Sequence, residues 1–390
     1  MKILHTVQSY WPSVGGMQEV AAQLSARLAA RGHDVTLATS KEPGRASLLR
    51  DGVHIEEFGV SGDSVHGLRG DVDGYRRFLL ESRFDIVANF AAQQWATDVA
   101  LPILDKIYGR KVFVPTGFSG LFAPEFKEYF SAMKRWMRGY DANVFLSDRY
   151  RDIEFARENG ITGLHVIPNA AAAEEFLPAP SIDIRQRLDI GKSQFLILLV
   201  GSHTGLKGHQ ESFDIFRRAR IRNATLLFVA NHFGGGCLKD CRRKAVLFPF
   251  THHRWFEGKR FLNLELTRVE TVAAYQGADL FLFPSQIECS PLVLFESMAS
   301  RTPFLTTPAG NAAEIIEWSH GGKLLPSVTL ADGRVRADVD PSARMLETMA
   351  RNPDERRKLA EAGFAAWRER FTWDIVTSQY ETLYQNLLKP

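Results

Sequence analysis

One pattern occurs twice in this chain and limits what it can fold into: a short apolar run, a glycine-containing loop, then a segment of helical period. The first copy reads Lys2 to Val7 as a strand, Ser13-Val14-Gly15-Gly16 as the loop, Met17 to Ala30 as a helix and Val35 to Ala38 as the next strand. Val20, Leu24 and Leu28 recur every four residues, which puts them on one sheet-facing stripe. Gly32 supplies a left-handed stop, and Arg31 meets the negative end of the helix. The second copy has a strand from Phe195 to Val200, a loop from Gly201 to Gly208, a helix to about Arg220 and a strand from Thr225 to Ala230. Strands that alternate with helices build α/β layers around parallel sheets. Two such openings in 390 residues predict two Rossmann-like halves rather than one long sheet.

The Pro/Ala-rich stretch from Phe176 to Pro180 reads as the linker between them. This gives one domain over 1–178 and a second over 179–374. A ligand is expected in the cleft between the two, at the carboxyl ends of both sets of strands.

Composition narrows the class further. The chain is 45% hydrophobic and 24% charged, which excludes disorder and fibrous repeats. Its net charge of +3, from 48 Lys+Arg against 45 Asp+Glu, gives no ground for expecting nucleic acid as a partner. Cys237, Cys241 and Cys289 are too few for a disulfide framework and favour a reducing cytoplasm. Apolar runs such as Phe195 to Val200 fall far short of the roughly 20 residues a membrane span needs. His5 and Gln8 interrupt any signal-peptide core. The expectation is a cytoplasmic protein that touches a membrane only peripherally.

The stretch from Asp279 to Ala299 carries the most chemistry. A buried strand, Leu280 to Phe283, ends in a loop, and a helix is expected to start at Ser290-Pro291 with Ser290 as its N-cap. The amides of Leu292 and Val293 would then be free, where the helix dipole favours an anion such as a diphosphate. Glu288 precedes that helix and Glu296 lies inside it; a carboxylate accepts two hydroxyl hydrogen bonds, which suits a ribose diol or a sugar edge. Lys207, flanked by Gly205 and Gly208, is the natural cation for the same diphosphate. Taken alone, each feature also fits an ordinary strand-to-helix turn with solvated charges.

Together, in this order and spacing, these residues resemble the retaining glycosyltransferases of the GT-B fold, in the large group often called family 4. The resemblance covers nearly the whole length. Glu288 and Glu296 match its E-x7-E signature, Gly310 to Glu314 the glycine-containing segment that follows, and Val200-Gly201-Ser202 through Lys207-Gly208 the phosphate loop. Trp11-Pro12 and Gly15-Gly16-Met17 match the N-terminal glycine loop, and Val166-Ile167-Pro168-Asn169 the turn before the linker. Phe371 to Tyr384 is similar to the C-terminal helix that crosses back, so 375–390 is expected on the first domain.

The resemblance implies a hexosyltransferase-type enzyme that uses a nucleotide-sugar donor, UDP- or GDP-linked, with no further cofactor and no metal. Glu296 would hold the ribose, Glu288 the donor-sugar hydroxyls, and Lys207 the diphosphate, with Ser202 in the same loop. Gly15 and Gly16 would approach from the acceptor-side domain. The acceptor would be a glycan or lipid-linked glycan, as in cell-surface polysaccharide or glycoconjugate synthesis.

The chain departs from the family's pattern after Asp85-Ile86-Val87, where a histidine is usual and Ala88-Asn89-Phe90-Ala91-Ala92-Gln93-Gln94 stands instead. Ser202 replaces a common arginine, and Asn231-His232 a common Gly-x-Gly. Asn89 is expected two residues past the strand, taking the histidine's place, with Gln93 and Gln94 as alternatives. Two other readings stay open: a nucleotide-sugar-binding subunit without catalysis, and a GT-B epimerase or hydrolase.

Three features fall outside this scheme. Cys237-x3-Cys241 with His252-His253 does not match the usual spacing of structural zinc sites. Lys239, Arg242, Arg243, Lys244, Arg254, Lys259 and Arg260, interleaved with Phe248, Phe250, Trp255 and Phe256, offer either a solvated loop or a contact for anionic lipid or a phosphorylated acceptor. Phe126, Tyr129, Phe130, Met133, Trp136 and Met137 are spaced for a helix buried in the first domain rather than one lying on a membrane.

Overall fold

The computed structural model describes residues 1–13, 15–231, 236–251 and 258–389, with the side chains of 249–251 left aside. The chain divides into two compact units, Met1–Asn169 with Trp373–Pro390, and Ala170–Thr372.

The strands of the first unit are β1 (Lys2–Thr6), β2 (Asp34–Ser40), β3 (Leu49–Arg50), β4 (Val53–Phe58), β5 (Val60–Ser61), β6 (Arg69–Gly70), β7 (Ile86–Phe90), β8 (Arg110–Val114), β9 (Ala142–Phe145) and β10 (Leu164–Val166). Among the described residues, eight of them form one sheet in the order β10-β9-β8-β7-β1-β2-β4-β3, and β5 pairs with β6 separately. Every pairing in the large sheet is parallel except β3 with β4. The helix Gly16–Ala30 buries Val20, Leu24 and Leu28, the stripe its four-residue spacing predicts. The helix Lys127–Arg138 likewise turns Tyr129, Phe130, Met133 and Met137 into the core, so its apolar face is spent on packing.

The C-terminal helix Trp373–Leu388 lies against Gly16–Ala30 and the residues that follow it. Arg27 pairs with Asp374 at 3.2 Å, Arg31 with Glu381 at 2.7 Å, and His33 with Glu381 at 2.8 Å. Beneath these pairs His5, fully buried in β1, sits 2.8 Å from Ser25 Oγ through Nδ1 and 3.2 Å from the Tyr384 hydroxyl through Nε2. Burial pushes its pKa down to about 3, so the folded chain holds a neutral imidazole. The unfolded chain takes up that proton near pH 6.5; stability from this group is intact above that pH and is lost as pH falls toward 3. Between pH 6.5 and 5 the first unit should lose about 2 kcal/mol through His5 alone. Urea unfolding of His5→Gln should show a flatter acid limb, and an unchanged slope would discard this assignment.

The second unit contains β11 (Phe195–Val200), β12 (Ala224–Val229), β13 (Arg260–Leu264), β14 (Leu280–Phe283), β15 (Phe304–Thr306) and β16 (Gly322–Leu324). They form an all-parallel sheet in the order β13-β12-β11-β14-β15-β16. The chain runs outward from β11 on one side and from β14 on the other, so the loops leaving these two neighbours diverge at a topological switch point. Open α/β sheets bind ligands at such a point. In the first unit β1 and β7 are neighbours in the same way, with β2 and β8 on their outer sides.

The crossing between units does not fall at Phe176 to Pro180. It lies at Asn169/Ala170, and the return at Thr372/Trp373. Phe176 is buried in the second unit's core, and Gln276 Nε2 donates to the carbonyls of Phe176 and Pro178, both at 3.0 Å. Ala171 forms a parallel bridge with Thr372, and its amide bonds Phe371 O at 3.1 Å. The need to bury an aromatic ring outweighs the loop signal of the surrounding Pro and Ala. Among the described residues no helix is long and apolar enough to cross a membrane.

Candidate active site

The loops after β11 and β14 are tied together at the switch point. Gly208 has φ +75°, and a Cβ there would lie 2.1 Å from Pro284 O, so only glycine lets the two loops press this close. Gln286 N donates to Leu206 O at 2.8 Å, and Ser285 Oγ lies 3.2 Å from the same carbonyl. This brings Lys207 Nζ to 2.6 Å from Glu288 Oε1, an oxygen that also accepts from Ser285 Oγ at 2.7 Å. The Glu288 side chain is 10% exposed and that of Lys207 29%, so the pair is largely withdrawn from water with the cation nearer the surface. From the far side Gly310, at φ +63°, closes on Cys289 O, where a Cβ would be 2.4 Å away, and Asn311 N bonds that carbonyl at 2.9 Å.

The helix that follows spans Leu292–Ala299. Its N-cap is Pro291, in extended conformation and without a side-chain cap bond, so Ser290 does not cap it as the sequence suggests. The helix starts one residue later because Pro291 keeps ψ at 112°, outside the helical region. Leu292 and Val293 still head the first turn, where amides lack an intrahelical acceptor. Ser290 is buried just ahead of them, and Ser202 is half-buried in the β11 loop, its carbonyl accepting from Thr204 N at 2.7 Å.

Glu296 has a different partner. Its Oε1 is 2.7 Å from Arg268 Nη1, and Arg268 also grips Glu175 through Nε at 3.0 Å and Nη2 at 2.6 Å. Burial works against the guanidinium's charge, but Glu296 and Glu175 more than offset it and push its pKa upward. Arg268, Glu175 and Ser285 carry no motif of their own; the signal that could have found one of them is Ser285, three residues before Glu288 in the same loop.

In the first unit the structure corrects the reading of Asn89. Strand β7 does not end near Val87 but continues to Phe90, and Asn89 is fully buried within it. Its Nδ2 donates to Thr6 Oγ1 at 2.7 Å, and its Oδ1 accepts from the Tyr140 hydroxyl at 2.9 Å. Both ends of the amide are committed to the core, so it does not stand in for a histidine facing a ligand. Asn89→Ala should therefore lower the stability of the first unit by about 1–3 kcal/mol by stranding two buried hydroxyls. Denaturant unfolding measures this; a stable variant with lost activity would reverse the conclusion.

Gln93 and Gln94 remain at the loop. Gln93 Oε1 accepts from Gly120 N at 3.1 Å, and Gln94 Oε1 from Gln8 N at 3.1 Å, joining the β7 loop to its neighbours. Gly15 adopts an extended backbone and N-caps the helix that begins at Gly16, which leaves bare backbone at that helix start.

The basic stretch separates into parts. Lys259 is buried, with Nζ donating to Phe216 O at 3.1 Å, and Arg260 Nη1 bonds Leu188 O at 2.7 Å. Phe248 is core. Lys239, Arg242 and Arg243 stay exposed on the helix Leu238–Thr251, while Lys244 pairs with Asp240 at 3.1 Å. His232, His252, His253, Arg254, Trp255, Phe256 and the Phe250 side chain lie outside the described residues, as does Val14. A cavity of about 780 Å³ lined by Lys192, Arg220, Arg222 and Arg356 opens at the amino end of β11, the wrong end of the strands for the loops above.

Comparison with known proteins agrees with this architecture. Residues 14–175 match the family described as Glycosyltransferase Family 4, and residues 181–364 the family described as Glycosyl transferases group 1. Between them the two matches span most of the chain and indicate a GT-B glycosyltransferase of the family 4 type. Among curated proteins it is similar to the lipopolysaccharide glucosyltransferase WaaG of Escherichia coli strain K12, 24% identical over 83% of this chain and 85% of that one. Among solved structures it resembles the sucrose-phosphate synthase of Thermosynechococcus elongatus, with a TM-score of 0.78, 17% identity, and coverage of 99% of this chain and 98% of that one. HepE of Anabaena, solved in complex with UDP, gives a TM-score of 0.75 at 17% identity, covering 99% of this chain and 100% of that one. A second HepE structure holds UDP-glucose.

Proposed function

We propose that this protein is a retaining glycosyltransferase that moves a sugar from a nucleoside-diphosphate donor to a glycan or lipid-linked glycan acceptor. The observation that carries the reading is the Lys207–Glu288 pair, 2.6 Å apart at the switch point of the second sheet and next in sequence to the start of helix Leu292–Ala299. Lys207 is a mobile cation for the diphosphate, and the amides of Leu292 and Val293 supply fixed dipoles for it. Charge growing on the leaving phosphate meets both without a reorganisation step. Glu288 then accepts hydroxyls of the transferred sugar, and Glu296 those of the ribose. The UDP complexes of HepE favour a UDP-linked donor, with GDP as the alternative.

With these organic partners, transfer needs no divalent ion on the diphosphate, and added magnesium or manganese should leave the rate unchanged. A panel of UDP, GDP, ADP and dTDP in thermal-shift measurements identifies the base; a ligand at 100 times its Kd stabilises by about 2.7 kcal/mol. Anomeric assignment of the product by NMR then tests retention, and an inverted product overturns it.

A second reading draws on the burial of Asn89. With that amide committed to the core, and Gln94 held by the Phe90 and Ala91 carbonyls and the Gln8 amide, the β7 loop offers Gln93 to an acceptor, as a nucleotide-sugar-binding subunit without catalysis would. Tight donor binding with no transfer to any acceptor and no donor hydrolysis would favour it. Peripheral membrane contact falls to Lys239, Arg242 and Arg243 beside the exposed Val246 and Leu247.

A further inference from the structure

His203 and His209 stand on either side of Lys207 and are each 1% exposed. Their rings stack at a centroid distance of 4.5 Å and an angle of 29°. Against them come Cys237 and Cys241, one helical turn apart at the start of Leu238–Thr251, with Cys241 buried. His203 Nδ1 is 3.3 Å from Cys237 Sγ, and the donor atoms of His203, Cys237 and Cys241 all lie within 4.8 Å of one another. The ring of His209 also interacts with the Cys237 thiol, while Nε2 of His203 is buried with no hydrogen-bond partner among the described residues.

Buried imidazole nitrogens are ordinarily paired, because leaving one dry and unbonded is costly. Two stacked, buried imidazoles converging on two thiols are not what a packed apolar core selects. A tetrahedral zinc, with Zn–S near 2.3 Å and Zn–N near 2.0–2.1 Å, sets neighbouring donors roughly 3.3–3.8 Å apart. The His203–Cys237 separation already has that length, Cys241 lies within 4.8 Å of both, and His209, stacked on His203, joins them by a turn of its ring.

We propose that His203, Cys237 and Cys241, with His209 as the fourth donor, bind one thiophilic divalent transition metal of the zinc type. The thiols bind as thiolates, and their protons leave to solvent. The donors come from three segments: the β11 loop, the first turn of the helix His209–Arg218, and the helix Leu238–Thr251. The metal therefore clamps both ends of the short stretch that carries Lys207 and has a structural role. The motif is invisible in the sequence because Cys237 and Cys241 are completed by histidines upstream of them, not by His252-His253.

The test uses the full chain purified under reducing conditions without chelators. Elemental analysis should find about one zinc per chain. Cobalt(II) added to the reduced, metal-free protein should give the visible bands of tetrahedral cobalt and a near-ultraviolet thiolate-to-cobalt band, saturating at one equivalent. Cys237→Ser and Cys241→Ser should weaken that band and lower cobalt affinity at least tenfold, and Cys289→Ser should not. Should the variants fail to fold, thiol labelling of the wild type decides: zinc should protect the half-buried Cys237 and leave the labelling of Cys289 unchanged. Absence of stoichiometric metal together with no cobalt band overturns the proposal. So does zinc that protects no thiol, or a Cys237–Cys241 disulfide as the only species that forms.

Discussion

Replacing Lys207 by alanine should lower donor turnover roughly a hundred- to a thousand-fold, the scale of losing one preorganised charge stabiliser. Two effects act in the same direction. On the proposed function the diphosphate would lose its cation as negative charge develops on it, which would lower kcat. Glu288, at 10% exposure, would also lose the partner 2.6 Å away and be left as an unbalanced carboxylate beside the proposed anionic donor, which would raise KM. Ser285 Oγ continues to donate to Glu288, and the Gly208–Pro284 contact does not involve the lysine side chain, so the loop keeps its shape. Steady-state kinetics over a range of donor concentrations separates the two effects. A folded variant that turns over at the wild-type rate removes Lys207 from the mechanism.

Glu296→Ala is expected to weaken nucleotide binding by about 1.5–3 kcal/mol, the contribution of hydrogen bonds to a charged acceptor. Removing one member of a buried ion pair often unfolds a protein. Here it should not, because Arg268 keeps Glu175 through two bonds of 3.0 and 2.6 Å and its side chain is 42% exposed. Calorimetry with the nucleotide therefore reads the ribose contact rather than a damaged fold. Glu296→Gln, which keeps an acceptor oxygen without the charge, should lie between the two. Unchanged affinity in both variants, with unchanged melting, would reduce Glu296 to a structural partner of Arg268.

Features that depend on neighbours along the chain are legible in the amino-acid order. The strand Leu280 to Phe283 and the strand Phe195 to Val200 appear with those bounds, because short apolar runs closed by Gly or Pro leave the backbone few alternatives. The four-residue stripe of Gly16–Ala30 and the glycines around Lys207 were legible for the same reason: period and left-handed φ are local properties. Features that depend on pairing across the sheet become visible only in the folded chain. Asn89 reads as a loop residue until β7 is laid beside β1, where Ala88 and Asn89 fall opposite His5 and Thr6 and the strand runs on to Phe90. Phe176 reads as linker until a core is there to receive its ring. The partners of Glu296 and of the two cysteines lie tens of residues away, on segments that only parallel packing brings together. Side-chain chemistry at a given position follows from local sequence, whereas the direction it faces and the group it meets follow from long-range burial, which no short window of sequence contains.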